Sequence, residues 1–225
     1  MRKTTFLSTA AVALVWVAGC IVSDELTTIT IQPDGSADWI RFQSNIRSTE
    51  KGEKGAQELQ KFADEFESRK DSDCVRITES GGELLEARWV RRDEPYATLV
   101  TARFPTASTL ENFCTIKGEK GEVLAQARFT QDDRRRRLSL TIPVPREEAT
   151  AEKIPPTFKE LRDRQANSLS ETRLVVVGGQ IIASQGFVVA GDKRSCLLDA
   201  DQIDELLRSR PEHVELFLEW ELADK

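Results

Sequence analysis

The chain has 225 residues, of which 31% are charged and 39% hydrophobic, so it can bury a core in one or two domains and is not disordered. The formal net charge of −6 argues against general nucleic-acid binding, and a single histidine, His213, argues against multi-histidine metal sites. The longest apolar run is too short to span a bilayer, and we assign no catalytic residue, cofactor or metal ion.

The N-terminus has the organisation of a secretory signal. A basic start and an apolar run over 6–17 precede the sequence Val17-Ala18-Gly19-Cys20. This order resembles the lipobox of bacterial lipoproteins, in which the cysteine sulfur is lipidated and the chain is cut just before it. The resemblance implies a signal peptide over 1–19, lipidation of Cys20 and a lipidated tether over 20–27. Ordinary secretion and an uncleaved anchor are the alternatives.

Lipidation at Cys20 would make the membrane the first partner of this chain. A single acyl chain gives only marginal binding, whereas two or more attach a protein stably. The next residue is Ile21 and not aspartate. By resemblance to lipoprotein sorting in bacteria with two membranes, this favours the outer over the inner membrane of the cell envelope.

The first half of the body alternates hairpins with one helix. Isoleucines alternate with threonines before the turn residues Pro33-Asp34-Gly35, which predicts a hairpin over 28–46. Apolar residues at spacings of three and four predict a helix over 53–70. Residues 75–104 are predicted to form a three-stranded meander.

The second half is predicted to follow the same pattern, with a linker or edge loop near 146–156. The predicted elements are a helix over 109–113, strands over 123–130 and 138–144, a helix over 157–170, a central hairpin over 173–190, a helix over 200–209 and a strand over 214–222. Together they predict one α+β domain over 28–225, with a candidate sub-boundary near 146–156. Its fold is a mostly antiparallel sheet of hairpins with three or four helices packed mainly on one face.

Three cysteines remain in the body. The stretch from Cys74 to Trp89 resembles the stretch from Cys114 to Phe129, which would place Cys74 and Cys114 at equivalent first-strand positions. A disulfide between them is a candidate in the oxidising envelope. The alternative is that the repeat is accidental and that the cysteines, Cys196 included, are buried and unpaired.

Weaker signals bear on ligands. Trp39, Trp89 and Trp220 lie on predicted strands and are interpreted as core residues, with a stacking platform for a sugar or a lipid as the alternative. The four arginines over 134–137 are interpreted as a solvated hairpin edge.

The N-terminal part carries a second resemblance. Gly19-Cys20, an extended segment and then Pro33-Asp34-Gly35-Ser36-Ala37 resemble the start of LppM-type bacterial lipoproteins. That resemblance implies an α+β envelope domain and lipid-related binding, and it transfers no site residue.

The functional expectation is a membrane-anchored envelope lipoprotein that acts as a non-catalytic binding or assembly module for a lipid, glycan or protein. The oligomeric state is left open. A membrane-tethered hydrolase using carboxylates is the alternative, and it would need a pocket with converging acidic side chains. An apolar cavity close to residue 20 would favour lipid handling.

Overall fold

Strands make up most of the secondary structure. This computed structural model describes residues 21–117, 122–143, 170–208 and 212–223. The strands are β1 (Ile21–Ile31), β2 (Ala37–Ser48), β3 (Glu83–Arg91), β4 (Tyr96–Phe104), β5 (Ile116–Lys117), β6 (Val123–Gln131), β7 (Arg135–Pro143), β8 (Ser170–Val176), β9 (Gly179–Gln185), β10 (Phe187–Val189), β11 (Ser195–Leu198) and β12 (His213–Leu222). The helices are α1 (Gly52–Glu67), α2 (Ser72–Glu79), α3 (Ala107–Cys114) and α4 (Ala200–Arg208). The predicted α+β class with mostly antiparallel strands is confirmed. The predicted linker near 146–156 lies outside the described residues, as does the predicted helix over 157–170 except for Ser170, which begins β8.

The larger sheet has seven strands in the order β10-β11-β8-β1-β2-β4-β3. Its neighbours are antiparallel except β1 and β8, which run parallel with Ile29 opposite Leu174. The β1–β2 hairpin turns as predicted, because the Asp34 carboxylate accepts hydrogen bonds from the backbone and the hydroxyl of Ser36 at 3.0 and 2.7 Å. The central position of β1 therefore depends on a strand from the last third of the chain.

A second sheet of five strands, in the order β5-β6-β7-β12-β9, differs from the expected single sheet. Its centre is β7, which pairs with β6 and β12 in antiparallel register. The predicted strands over 123–130, 138–144 and 214–222 are confirmed and all lie in this sheet.

The chain passes between the two sheets at Gly178-Gly179. We predicted a central hairpin over 173–190, but β8 pairs with β1 in the larger sheet and β9 pairs with β12 in the smaller one. Gly179 lies so close to β12 that a Cβ atom there would be 2.6 Å from the carbonyl oxygen of Glu221. The glycine pair therefore permits a crossing between sheets and not a two-stranded turn.

One hydrophobic core joins both sheets. Trp39, Val100 and Phe104 of the larger sheet are 0–2% exposed, as are Leu218 and Trp220 of the smaller one, and all belong to one buried cluster. The residues of helices α1, α2 and α3 in the same cluster are Phe66, Cys74, Ile77, Leu110 and Phe113. The interpretation of Trp39 and Trp220 as core residues is confirmed.

Helix α4 covers a smaller cluster on the five-stranded sheet. Ile203 is buried against Ile142, Val214 and Leu216, with Leu206 packed beside it. The predicted helix over 200–209 is confirmed, and its apolar spacing of three residues places both side chains on one face.

Helix α2 replaces a strand that the sequence analysis predicted from residue 75. Asp71 caps its N-terminus by accepting hydrogen bonds from the backbone N–H groups of Asp73 and Cys74. Arg41 reaches the same turn from β2, in contact with the Asp73 carboxylate and 3.8 Å from that of Asp71. Burial lowers the pKa of Arg41, an effect that nearby Glu25 and Asp71 oppose. The capped turn and this buried charge cluster fix the helix.

The first strand begins earlier than predicted. We expected a tether over 20–27, but β1 starts at Ile21, where it pairs with Ser48, and Val22 pairs with Arg47. Threonine and isoleucine alternation is visible only from residue 28, whereas the paired segment before it carries polar side chains on both faces. The folded structure therefore reaches the residue that follows Cys20.

Candidate functional site

A groove separates α1 from the seven-stranded sheet. It has a volume of about 470 Å³, within the range of roughly 300–1,000 Å³ that is typical of small-molecule sites. The lining residues come from α1 and from the adjoining ends of β2, β3 and β4: Ile46, Ala56, Leu59, Gln60, Phe62, Ala63, Glu67, Trp89, Arg92, Glu94 and Tyr96. Seven of these eleven side chains are aliphatic or aromatic, and the charged ones are Glu67, Arg92 and Glu94.

Aromatic rings form one wall of the groove. Trp89 lies edge-on to Phe62, Phe66 and Tyr96, with ring centroids 6.1, 5.3 and 6.1 Å apart. Phe62 stacks on Phe66 at 6.1 Å. Phe66 is buried, but Phe62, Trp89 and Tyr96 are only half-buried. These three rings present apolar surface that the protein itself does not cover.

The sequence of α1 explains why the groove is open. Ala56, Leu59 and Ala63 follow one another at spacings of three and four residues, so they lie on one helix face. Two of the three side chains are single methyl groups, which leave space between the helix and the sheet. Phe66, one turn further on, is long enough to reach the core and holds the helix end in place.

The rim of the groove is polar. Arg92 and Glu67 form an ion pair at 3.2 Å, with side chains 72% and 52% exposed. Gln60 and Glu94 add an amide and a carboxylate at the same opening. A ligand with an apolar body and a polar end would match this division.

Trp89 holds an unsatisfied donor. Its indole nitrogen is buried, and no acceptor lies within hydrogen-bond distance in the part of the chain that the structure describes. A buried donor without an acceptor costs roughly 1–3 kcal/mol, so Trp89 contributes to this site through the contacts of its ring and not through its N–H. The interpretation of Trp89 as a plain core residue was incomplete, since half-buried Trp89 is part of the groove wall.

The groove lies at the end of the sheet where the chain enters it. Ile46 and Tyr96, both lining residues, are opposite one another in β2 and β4. Ser48, two residues beyond Ile46, is opposite Ile21. Strand spacings place the groove wall about 10 Å from the first residue after Cys20.

The predicted lipidation site, Cys20, lies outside the described residues. Cys74 and Cys114 lie on α2 and at the end of α3, not on the strands we expected, and both are free thiols, as is Cys196. Burial raises the pKa of Cys74 to about 12, of Cys114 to about 11 and of Cys196 to about 12. At neutral pH all three are protonated, which makes them poor nucleophiles.

Two carboxyl groups with perturbed pKa values lie in turns. Hydrogen bonds from Ser36 lower the pKa of Asp34, and hydrogen bonds from the backbone of Arg135 and Arg134 lower that of Asp132. Both side chains are exposed, and a general acid would need the opposite shift. Within residues 21–117, 122–143, 170–208 and 212–223, no group of three potential ligands is placed to hold a metal ion.

The arginine run lies inside the smaller sheet and not at a sheet edge. Strand β7 carries three of these arginines between β6 and β12. Arg137 pairs with Glu215 at 2.9 Å and Glu219 at 3.4 Å, and its guanidinium lies 3.8 Å from the ring centroid of Phe217. The arginines of the run therefore pair with glutamates of β12. They lie in the five-stranded sheet, whereas the groove lies beside the seven-stranded sheet.

Similarity searches give little information about this chain. No family model matches it, and no curated protein does either. Among solved structures, the NMR structure of the folded domain of LppM from Mycobacterium tuberculosis is similar over 100% of this chain and 97% of that one, with 9% identity and a TM-score of 0.39. The likeness is weak, and neither fold nor function is carried over from it.

The described helices include none that is both long and apolar enough to cross a membrane.

Proposed function

We propose that this chain is a bacterial envelope lipoprotein, held in the membrane through Cys20, that binds the acyl chain of a lipid in the groove beside α1. The observation that carries the proposal is the half-buried aromatic wall of Phe62, Trp89 and Tyr96 facing a cavity of about 470 Å³. Binding and not catalysis is proposed, because most of the lining side chains are aliphatic or aromatic and none is a serine, a cysteine or a histidine.

An acyl chain is favoured over other occupants by chemistry and by position. Each methylene group buried from water stabilises a complex by about 0.8 kcal/mol, and the groove interior provides aliphatic and aromatic contacts for such groups. The charged rim, with Arg92 paired to Glu67, suits the polar end of a lipid that remains in water. Strand spacing places the groove about 10 Å from Ile21, the residue that would follow the lipidated cysteine. Membrane lipid would therefore be the most abundant apolar molecule near the groove.

The location rests on the N-terminal sequence. Val17-Ala18-Gly19-Cys20 supports a lipid anchor, and Ile21 supports the outer membrane in a cell with two membranes.

Blocking the groove should abolish binding of a fluorescent fatty acid. The test uses the unlipidated chain from residue 21 onward and measures the rise in probe fluorescence on titration. Ala63→Trp fills the groove with an indole ring and should weaken binding at least about tenfold. Leu59→Gln makes the wall polar without adding bulk and should also weaken binding.

Lys61→Trp is the matched control, since Lys61 lies on the same helix with its side chain 77% exposed. It should bind the probe as the parent does, and thermal unfolding should show all three variants folded. A parent chain that does not bind the probe, or an Ala63→Trp variant that binds it unchanged, would refute the assignment of the groove.

Removing the cysteine should release the protein from membranes. In cells grown with radioactive palmitate, Cys20→Ala should abolish labelling and move the chain from the membrane fraction to the soluble fraction. Cys196→Ala, which changes a buried thiol of the body, serves as the control and should keep both the label and the location. Persistent labelling of Cys20→Ala would contradict lipid anchoring.

A further inference from the structure

The described fold begins at the residue that follows Cys20 in the sequence. Ile21 is the first residue of β1 and is opposite Ser48, and Val22 is opposite Arg47. A lipid on Cys20 would therefore be joined directly to a strand in the middle of a seven-stranded sheet. A flexible linker would let the domain rotate above the bilayer, whereas a paired strand at the anchor restricts it.

Several lining residues of the groove lie at the same end of the sheet. Tyr96, a lining residue at the start of β4, is opposite Ile46 of β2, and the β3–β4 turn over 92–95 projects beyond it. The opposite end of β1 carries the turn with Pro33, whose carbonyl accepts a hydrogen bond of 2.8 Å from Arg136 of β7. The 11 residues of β1 separate the two ends by about 35 Å.

Charges at the anchor end do not set the orientation. Exposed Arg47, Lys51 and Arg91 are accompanied there by exposed Glu53 and Asp93. Because both signs are interleaved, attraction to anionic headgroups would be small. A covalent junction at Cys20 would then be the feature that orients the domain.

We propose, building on the proposed function, that the bilayer surface is the docking partner of the β3–β4 turn and the groove mouth. The larger sheet stands with the groove opening toward the leaflet that holds the lipid of Cys20. An acyl chain then moves from that leaflet into the groove with little exposure of its methylene groups to water. The ligand is thus a lipid of the membrane in which the protein is anchored.

Fluorescence quenching in vesicles tests the orientation. The lipidated full chain is placed in vesicles of phosphatidylethanolamine and phosphatidylglycerol that contain a lipid with a quencher near its headgroup. Asp93→Cys in the β3–β4 turn and Asp133→Cys in the β6–β7 turn are each labelled with an environment-sensitive dye. Both positions are exposed aspartates in hairpin turns at opposite ends of the molecule, and the parent chain, with its protonated body thiols, gives the labelling blank.

We expect at least about threefold stronger quenching at position 93 than at position 133, at low and at high salt. A flexible Gly/Ser insertion of about twelve residues between Cys20 and Ile21, which spans roughly 20 Å, should equalise the two positions. Equal quenching without the insertion, or a difference that survives it, would overturn the proposal. Failure of the unlipidated chain to bind the fatty-acid probe, with selective quenching at position 93 retained, would instead reject the lipid ligand and leave the orientation standing.

Discussion

Replacing Arg41 with alanine should lower the free energy of unfolding by about 3–5 kcal/mol, because it leaves buried carboxylates without a counter-charge. The Arg41 side chain is 11% exposed, and those of Asp71 and Asp73 are 9% and 14% exposed. The loss should show as a lower midpoint in urea unfolding monitored by tryptophan fluorescence. Since Asp71 also caps α2, the helix end should fray in hydrogen exchange before the rest of the sheet.

Arg103→Ala is the matched control for this charge cluster. Arg103 pairs with Asp38 across β4 and β2 at 3.1 Å, but the two side chains are 55% and 41% exposed. An exposed pair of this kind contributes about 0–1 kcal/mol. Equal effects of the two substitutions would show that burial does not distinguish the pairs and that α2 is held by other contacts.

Replacing Gly35 with alanine should destabilise the protein by about 2–5 kcal/mol. Gly35 has φ of +85°, and a Cβ atom there would lie 2.7 Å from that of Ala107 and 2.9 Å from the ring of Phe129. The left-handed backbone costs a residue other than glycine about 1–2 kcal/mol, and overpacking adds about 1–3 kcal/mol. The shift in the unfolding midpoint would measure the sum.

Gly52→Ala separates these two effects. Gly52 also has positive φ, +66°, but nothing lies within 4 Å of the position that a Cβ atom would take. Its substitution should cost only about 1–2 kcal/mol, the backbone part alone. If both variants lost the same stability, the close packing of the β1–β2 turn against α3 and β6 would contribute nothing.

Local patterns predicted individual helices, turns and strands, though not the pairing of distant strands. Apolar spacings of three and four residues predicted α1, and alternation of apolar side chains predicted β12. The turn residues after β1 predicted the β1–β2 hairpin. Helix α2 was missed because β-branched Val75 and Ile77 alternate as they would in a strand. Of these two side chains, only that of Ile77 is fully buried. The helix is stabilised by Asp71, which caps its N-terminus, and by the ion pair with Arg41 of β2.

The pairing of strands that are distant in the chain could not be predicted from the sequence. The apolar strands on either side of Gly178-Gly179 have the composition of a hairpin, and nothing local distinguishes a turn from a crossing between sheets. The chain crosses between the sheets at this point because β8 pairs with β1 and β9 pairs with β12.

The groove was only partly predictable. The apolar spacing over 53–70 predicted a helix with one apolar face, and Trp89 was interpreted as a core residue with a stacking platform as the alternative. Whether such a face is covered depends on how far α1 stands from the sheet. The alanines at positions 56 and 63 were the available signal, because small residues on an apolar face leave space.

The parallel pairing of β1 with β8 has a consequence for how the protein is made. Strand β1 can pair with β2 as soon as that hairpin has been made, but its other flank has no partner until residues 170–176 have been synthesised. Contacts of such wide sequence separation form slowly. Under the proposed lipidation of Cys20, the chain would be attached to the membrane while one flank of β1 was still unpaired, so that anchoring would precede the native fold.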